Sequence, residues 1–82
     1  MEKHIKWVEV KSSNIKQIRY SHETRILQIE FHHGGIYSYT PVTEEGYQEL
    51  LKAESYGDYF AKHIRSNPHI TAVRVEEGKD NE

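Results

Sequence analysis

The stretch from Arg25 to Thr40 constrains the fold more than any other part of this chain. Leu27, Ile29 and Phe31 alternate with Gln28 and Glu30, His32-His33-Gly34-Gly35 interrupts the pattern, and Tyr37 and Tyr39 then alternate with Ile36, Ser38 and Thr40. Successive strand side chains point to opposite faces, so the first run has one apolar and one polar face, and the two tyrosines must share a face. The glycines supply the positive φ angles that a tight connection needs, so the two runs form an antiparallel hairpin.

Hairpin parity decides what the tyrosines do, because residues directly opposite each other across an antiparallel pair share a face. An odd loop, His33-Gly34-Gly35, sets Tyr37 opposite Phe31 and Tyr39 opposite Ile29, inside the core, with Ile36 exposed near a sheet edge. An even loop, Gly34-Gly35 or His33-Gly34, sets them among Glu30, Gln28 and His32, as an exposed stacking platform. The odd loop fills the core better, since the even one sends Ile36, Ser38 and Thr40 inward in place of two rings that each bury about 150 to 250 Å².

The flanking segments extend this hairpin in both directions. Trp7-Val8-Glu9-Val10 is a β-prone run ended by the turn-forming Ser12-Ser13-Asn14. Ile15 to Ser21 is a second strand, with Ile18 and Tyr20 on one face and Gln17 and Arg19 on the other. Past Pro41-Val42 the apolar period changes from two to that of a helix. Thr43 suits an N-cap, Glu44 and Glu45 suit the first turn, and Tyr47, Leu50 and Leu51 form a stripe. Ser55 caps a second helix with Asp58 three residues on, and Tyr56, Tyr59, Phe60, His63 and Ile64 repeat the stripe up to Asn67-Pro68. His69 to Val75 alternates weakly, as a short strand or a segment draped over the core. The expected fold is α+β: an antiparallel three- to four-stranded β-meander followed by two α-helices packed on the Leu27/Ile29/Phe31 face.

With 82 residues there is room for one domain and one small core, which lies here between a flexible tract over 1–6 and a disordered acidic tail over 76–82. No cysteine is present to add disulfides or thiolate metal ligands. No apolar run approaches the roughly 18 residues of a membrane span, so a cytoplasmic protein without membrane contact is expected. The net charge of -2 is uneven: Glu76, Glu77, Asp80 and Glu82 against Lys79 make the end acidic. The preceding 75 residues carry ten Lys/Arg and nine Asp/Glu, so nucleic-acid binding would need a local basic patch.

The series Val10-x-Ser12-Ser13-Asn14-Ile15, then Leu27-x-Ile29-x-Phe31-x-x-Gly34-x-x-Tyr37-x-Tyr39, then Tyr47-x-x-Leu50-Leu51-x-Ala53-x-Ser55-x-Gly57-x-Tyr59-Phe60-x-x-x-Ile64-Arg65 resembles the KTSC domain family. That small domain also occurs at the C-terminus of some lysyl-tRNA synthetases and as stand-alone bacterial proteins. The resemblance covers roughly Val10 to Val75 and implies a suggested role in RNA binding rather than an established activity. Arg19 stands where the family usually has glycine, and Ser21 where it usually has an acid.

From these residues the expected function is a small non-catalytic module binding RNA, single-stranded or tRNA. Tyr37 and Tyr39 would stack on bases, and Lys16, Arg19, Arg25, Lys62 and Arg65 would contact phosphates. The alternative is a protein-interaction or self-association module using an exposed sheet edge, although a monomer is expected rather than a homodimer. Neither a metal nor a cofactor is expected: His32 and His33 are strand neighbours that point apart, no HExxH-type spacing occurs, and His63 falls on an apolar stripe as a hydrogen-bonded core residue. Ser12, Ser13, His22 and Glu23 are of catalytic type but sit in no nucleophile elbow or paired-acid setting, so no enzyme is expected.

Overall fold

A computed structural model describes residues 5–75. The expected disorder of the acidic tail over 76–82 and the first four residues of the flexible N-terminus lie outside the described residues. Five strands form one antiparallel sheet in sequential order: β1 Val8–Glu9, β2 Ile15–Ser21, β3 Ile26–Phe31, β4 Gly35–Thr40 and β5 Thr71–Val75. Helix α1, Glu44–Lys52, and helix α2, whose α-helical turn Tyr56–Tyr59 runs on into a π-helical turn Phe60–Arg65, lie between β4 and β5. The architecture is the expected α+β meander with two helices. The fifth strand arises because the weakly alternating 71–75 segment pairs with β4 from Thr40↔Thr71 to Ile36↔Val75.

Hydrophobic alternation selects the buried face. Ile18, Tyr20, Leu27, Ile29 and Tyr39 from the sheet meet Val42, Leu50, Phe60 and Ile64 in one core cluster. The inner face survives a break in β2. The register shifts between Ile15 and Gln17, so one extra residue, Lys16, lets Ile15 and Ile18 both point inward despite their odd spacing. Ile15 and Ile18 are accordingly 0% and 1% exposed.

The β3–β4 connection is odd. Phe31 pairs with Gly35, Ile29 with Tyr37 and Leu27 with Tyr39, leaving a three-residue loop, His32-His33-Gly34. The parity is that of the odd-loop expectation, but the register differs from it by two residues. The His32 N–H donates to the Asn14 carbonyl at 2.9 Å, which ties it to the β1–β2 loop. Gly35, at φ 83°, then opens β4 in the left-handed region that favours glycine. Tyr39 is buried and Tyr37 partly buried against the core.

Two expectations require correction. Ile36 is not exposed beside an edge: it is 4% exposed, because β5 adds to β4 and places Val75 opposite it. His63 is not in the core: it is exposed and lies against the Tyr59 ring with centroids 4.4 Å apart. The π-helical turn is wider than an α-helical one, so it keeps Phe60 and Ile64 inward while carrying position 63 round to solvent.

Candidate functional site

Three connections meet at one end of the sheet, and their packing leaves a cleft of about 630 Å³. The β1–β2 loop contributes Lys11, Ser12, Ser13 and Asn14, and the hairpin tip contributes His33 and Gly34. The approach to α2 contributes Glu54, Ser55, Tyr56, Gly57 and Asp58, with Phe60, Ala61 and Arg65 following along the helix. Ile15 and Phe31 form the apolar floor.

Local chemistry fixes each wall. The Ser12 hydroxyl accepts from the Asn14 and Ile15 N–H groups, both at 3.2 Å, which bends the β1–β2 loop into a compact turn. His32 holds that loop to the hairpin twice, through its backbone N–H to Asn14 O and through a 3.1 Å contact of Nε2 with Ser12 O. On the helical side the Ser55 hydroxyl accepts from the Asp58 N–H at 3.2 Å, so the residue that starts α2 also shapes the rim. The two walls touch at Gly57, where a Cβ would stand 3.5 Å from Asn14 Nδ2.

The cleft has mixed charge. Lys11, Glu54, Asp58 and Arg65 are all exposed, and among the described residues none of them makes an ion pair. The tyrosine pair packs on the core cluster outside the cleft lining. Tyr37 and Tyr39 are stacked with centroids 6.3 Å apart, and Tyr39 meets Phe60 edge-on at 5.1 Å. Burial pushes the Tyr39 hydroxyl up to about 12, with Tyr37 adding to the shift and the Arg65 guanidinium opposing it. Arg65 therefore lines the cleft and also acts electrostatically on the Tyr39 hydroxyl.

The expected site residues do not converge on one surface. Tyr37 and Tyr39 face the helices. Arg19 lies on the opposite, open face of the sheet, with its guanidinium 4.3 Å from the Trp7 ring centroid and Nε donating to Gln28 Oε1 at 2.7 Å. Lys16 sits at the bulge, 3.9 Å from Glu30. Arg25 ends the β2–β3 turn at the other end of the sheet, at φ 60°. Lys62 is exposed on α2 but does not line the cleft. Of the seven, Arg65 alone lines it. Among the described residues no three His, Asp or Glu side chains gather where a metal ion could be held, and no helix is long and apolar enough to cross a membrane.

The polar and glycine residues of the cleft that sequence reasoning did not assign to a site are Lys11, Ser12, Ser13, Asn14, His33, Gly34, Glu54, Ser55, Tyr56, Gly57 and Asp58. The signal was present in the ordered series of small and polar positions, since Ser12-Ser13-Asn14, Gly34, Ser55-x-Gly57 and Arg65 all reach this one cavity. Comparison with known proteins bears on that series. The KTSC domain model matches residues 11–67, from the first cleft loop to beyond α2. The chain belongs to the KTSC domain family. An uncharacterised protein from the bacterium Stutzerimonas stutzeri (strain A1501) is 39% identical over 56 residues, covering 68% of this chain and 79% of its own. The crystal structure of a KTSC domain protein from Yersinia pestis superposes with a TM-score of 0.81 at 27% identity, covering 89% of this chain and all of that one.

Proposed function

We propose that this KTSC domain is a non-catalytic binding module of the cytoplasm that holds a short single-stranded segment of RNA, free or within a tRNA, in the cleft at the end of the sheet. The observation that carries the reading is the cleft itself: its volume falls within the roughly 300 to 1,000 Å³ of ligand sites, and Lys11 and Arg65 stand on it without acidic partners among the described residues. These two cations suit phosphates, the partly buried Tyr56 offers a ring to a base, and Ser13 and Asn14 offer hydrogen bonds to sugar or base edges. Tyr37 and Tyr39 act as packing that positions α2 and Arg65. Lys62 continues the basic side of α2, while Lys16, Arg19 and Arg25 contribute to the long-range field.

NMR titration of the monomer with short single-stranded RNA and with tRNA, at low and moderate salt, tests the reading. Amides of 11–14, 33–34 and 54–65 shift in a salt-dependent way, and Arg65→Ala weakens binding about tenfold or more. If no amide moves with either RNA at low salt, the reading fails.

A second reading has one observation in its favour. β5 borders the sheet with a single neighbour, and its Val73 is 56% exposed, so a protein strand could add to that edge. Light scattering separates the two: a dimer whose mass and spectrum ignore RNA supports the edge.

A further inference from the structure

We infer that the cleft selects among bases and prefers guanine, through the carboxylates of Asp58 and Glu54. The inference rests on the RNA reading above and concerns the same cleft. The charged side chains there are divided by segment. Lys11 comes from the β1–β2 loop and Arg65 from the far end of α2, whereas Glu54 and Asp58 come from the approach to α2 and its first turn. A nucleotide is divided in the same way, into an anionic phosphate and a base with donors at its edge. Like charge keeps the phosphate away from Glu54 and Asp58, so the phosphate lies toward Lys11 and Arg65 and the base edge toward the carboxylates.

An ionised carboxylate only accepts hydrogen bonds. Guanine presents two adjacent donors, N1–H and the 2-amino group, which match the two oxygens of one carboxylate. Uracil presents a single N–H between two carbonyl oxygens that the carboxylate repels. Adenine and cytosine present an amine beside an acceptor nitrogen and fall between. Both carboxylates are available for this use. Ser55 engages the backbone N–H of Asp58 and leaves its side chain free, and among the described residues neither acid is ion-paired. Tyr56, next to the same wall, supplies the ring on which the base stacks.

Fluorescence anisotropy with labelled r(UUGUU), r(UUIUU) and r(UUUUU) on the full chain at low salt tests the selection. The guanosine oligonucleotide binds about tenfold tighter than the uridine one, and inosine, which lacks the 2-amino group, lies between. The ratio is the readout, because removing an acid raises affinity for every oligonucleotide through the field. Asp58→Ala with Glu54→Ala brings the guanosine-to-uridine ratio below about twofold, and Asp58→Asn alone lowers it part of the way. Both positions are exposed, and unchanged thermal unfolding confirms the fold of each variant. Equal binding of the three oligonucleotides, or a ratio that survives the double substitution, overturns the selection while leaving RNA binding in place. Binding to none of them overturns both.

Discussion

Tyr39 lies opposite Leu27 in the register, 5% exposed, with the Phe60 ring edge-on and the Tyr37 ring stacked beside it. Tyr37 lies opposite Ile29 but nearer the rim, with Arg74 of β5 on its other side. The two side chains share a face and differ in depth, which sets their energetic weight. Tyr39→Ala removes a buried ring with neighbours on several elements and costs about 3 kcal/mol. Tyr37→Ala costs about half as much, since part of its ring already meets solvent. Urea denaturation checks both values, and equal losses would contradict the difference in depth. The shared face was legible from the Tyr-x-Tyr spacing, and its inward direction from the poor filling that Ile36, Ser38 and Thr40 would make. The register was not legible, because it depends on His32 donating to Asn14, a contact across 18 residues of sequence.

Helix starts are written in single side chains, and both were readable: the Thr43 hydroxyl accepts from the Gly46 N–H at 3.0 Å, and Ser55 accepts from Asp58. Ser55→Ala leaves an N–H of the first turn of α2 without its partner and destabilises the protein by about 1 kcal/mol. The Tm in a thermal melt measures this, with Thr43→Ala as the matching loss at α1. Features made by the backbone alone left no such mark. The bulge at Lys16 and the π-helical turn at Phe60–Arg65 change which residues face inward without any residue type that demands them. For that reason the helical spacing marks His63 as a core position although it is exposed. The cleft escaped notice for a related reason. Its walls come from segments around 12, 33, 56 and 65, so no local pattern announces it, and it emerges only once the meander and α2 are folded together.

Across the whole molecule the sheet divides two kinds of chemistry. The helical face holds the core, while the open face carries a polar row in which Arg19 donates to Gln28 and Gln28 Nε2 donates to Ser38 Oγ at 2.9 Å. A second row joins Gln17 to Glu30 at 2.7 Å. Arg19 and Lys16 are thus engaged in the sheet's own side-chain contacts, whereas Lys11 and Arg65 at the cleft make no ion pair among the described residues. The buried face in turn collects phenols. Burial raises the hydroxyl pKa of Tyr47, and it raises those of Tyr20 and Tyr59 together with the nearby charges of Glu44 and Glu49 respectively. Burial is also the main cause that takes Tyr39 to about 12, against an ordinary value of 10.0. Between these limits the unfolded chain ionises its tyrosines while the folded chain keeps Tyr39 neutral, so unfolding releases a proton and is favoured by alkali. The stabilisation that this linkage provides is whole below pH 10 and is lost as the pH rises through about 12. The urea midpoint, followed across that window, falls in step with the appearance of phenolate absorbance. Tyr39→Phe keeps the ring but removes the titrating hydroxyl, and its midpoint declines less steeply; identical slopes for the two proteins would show that Tyr39 does not drive the alkaline loss.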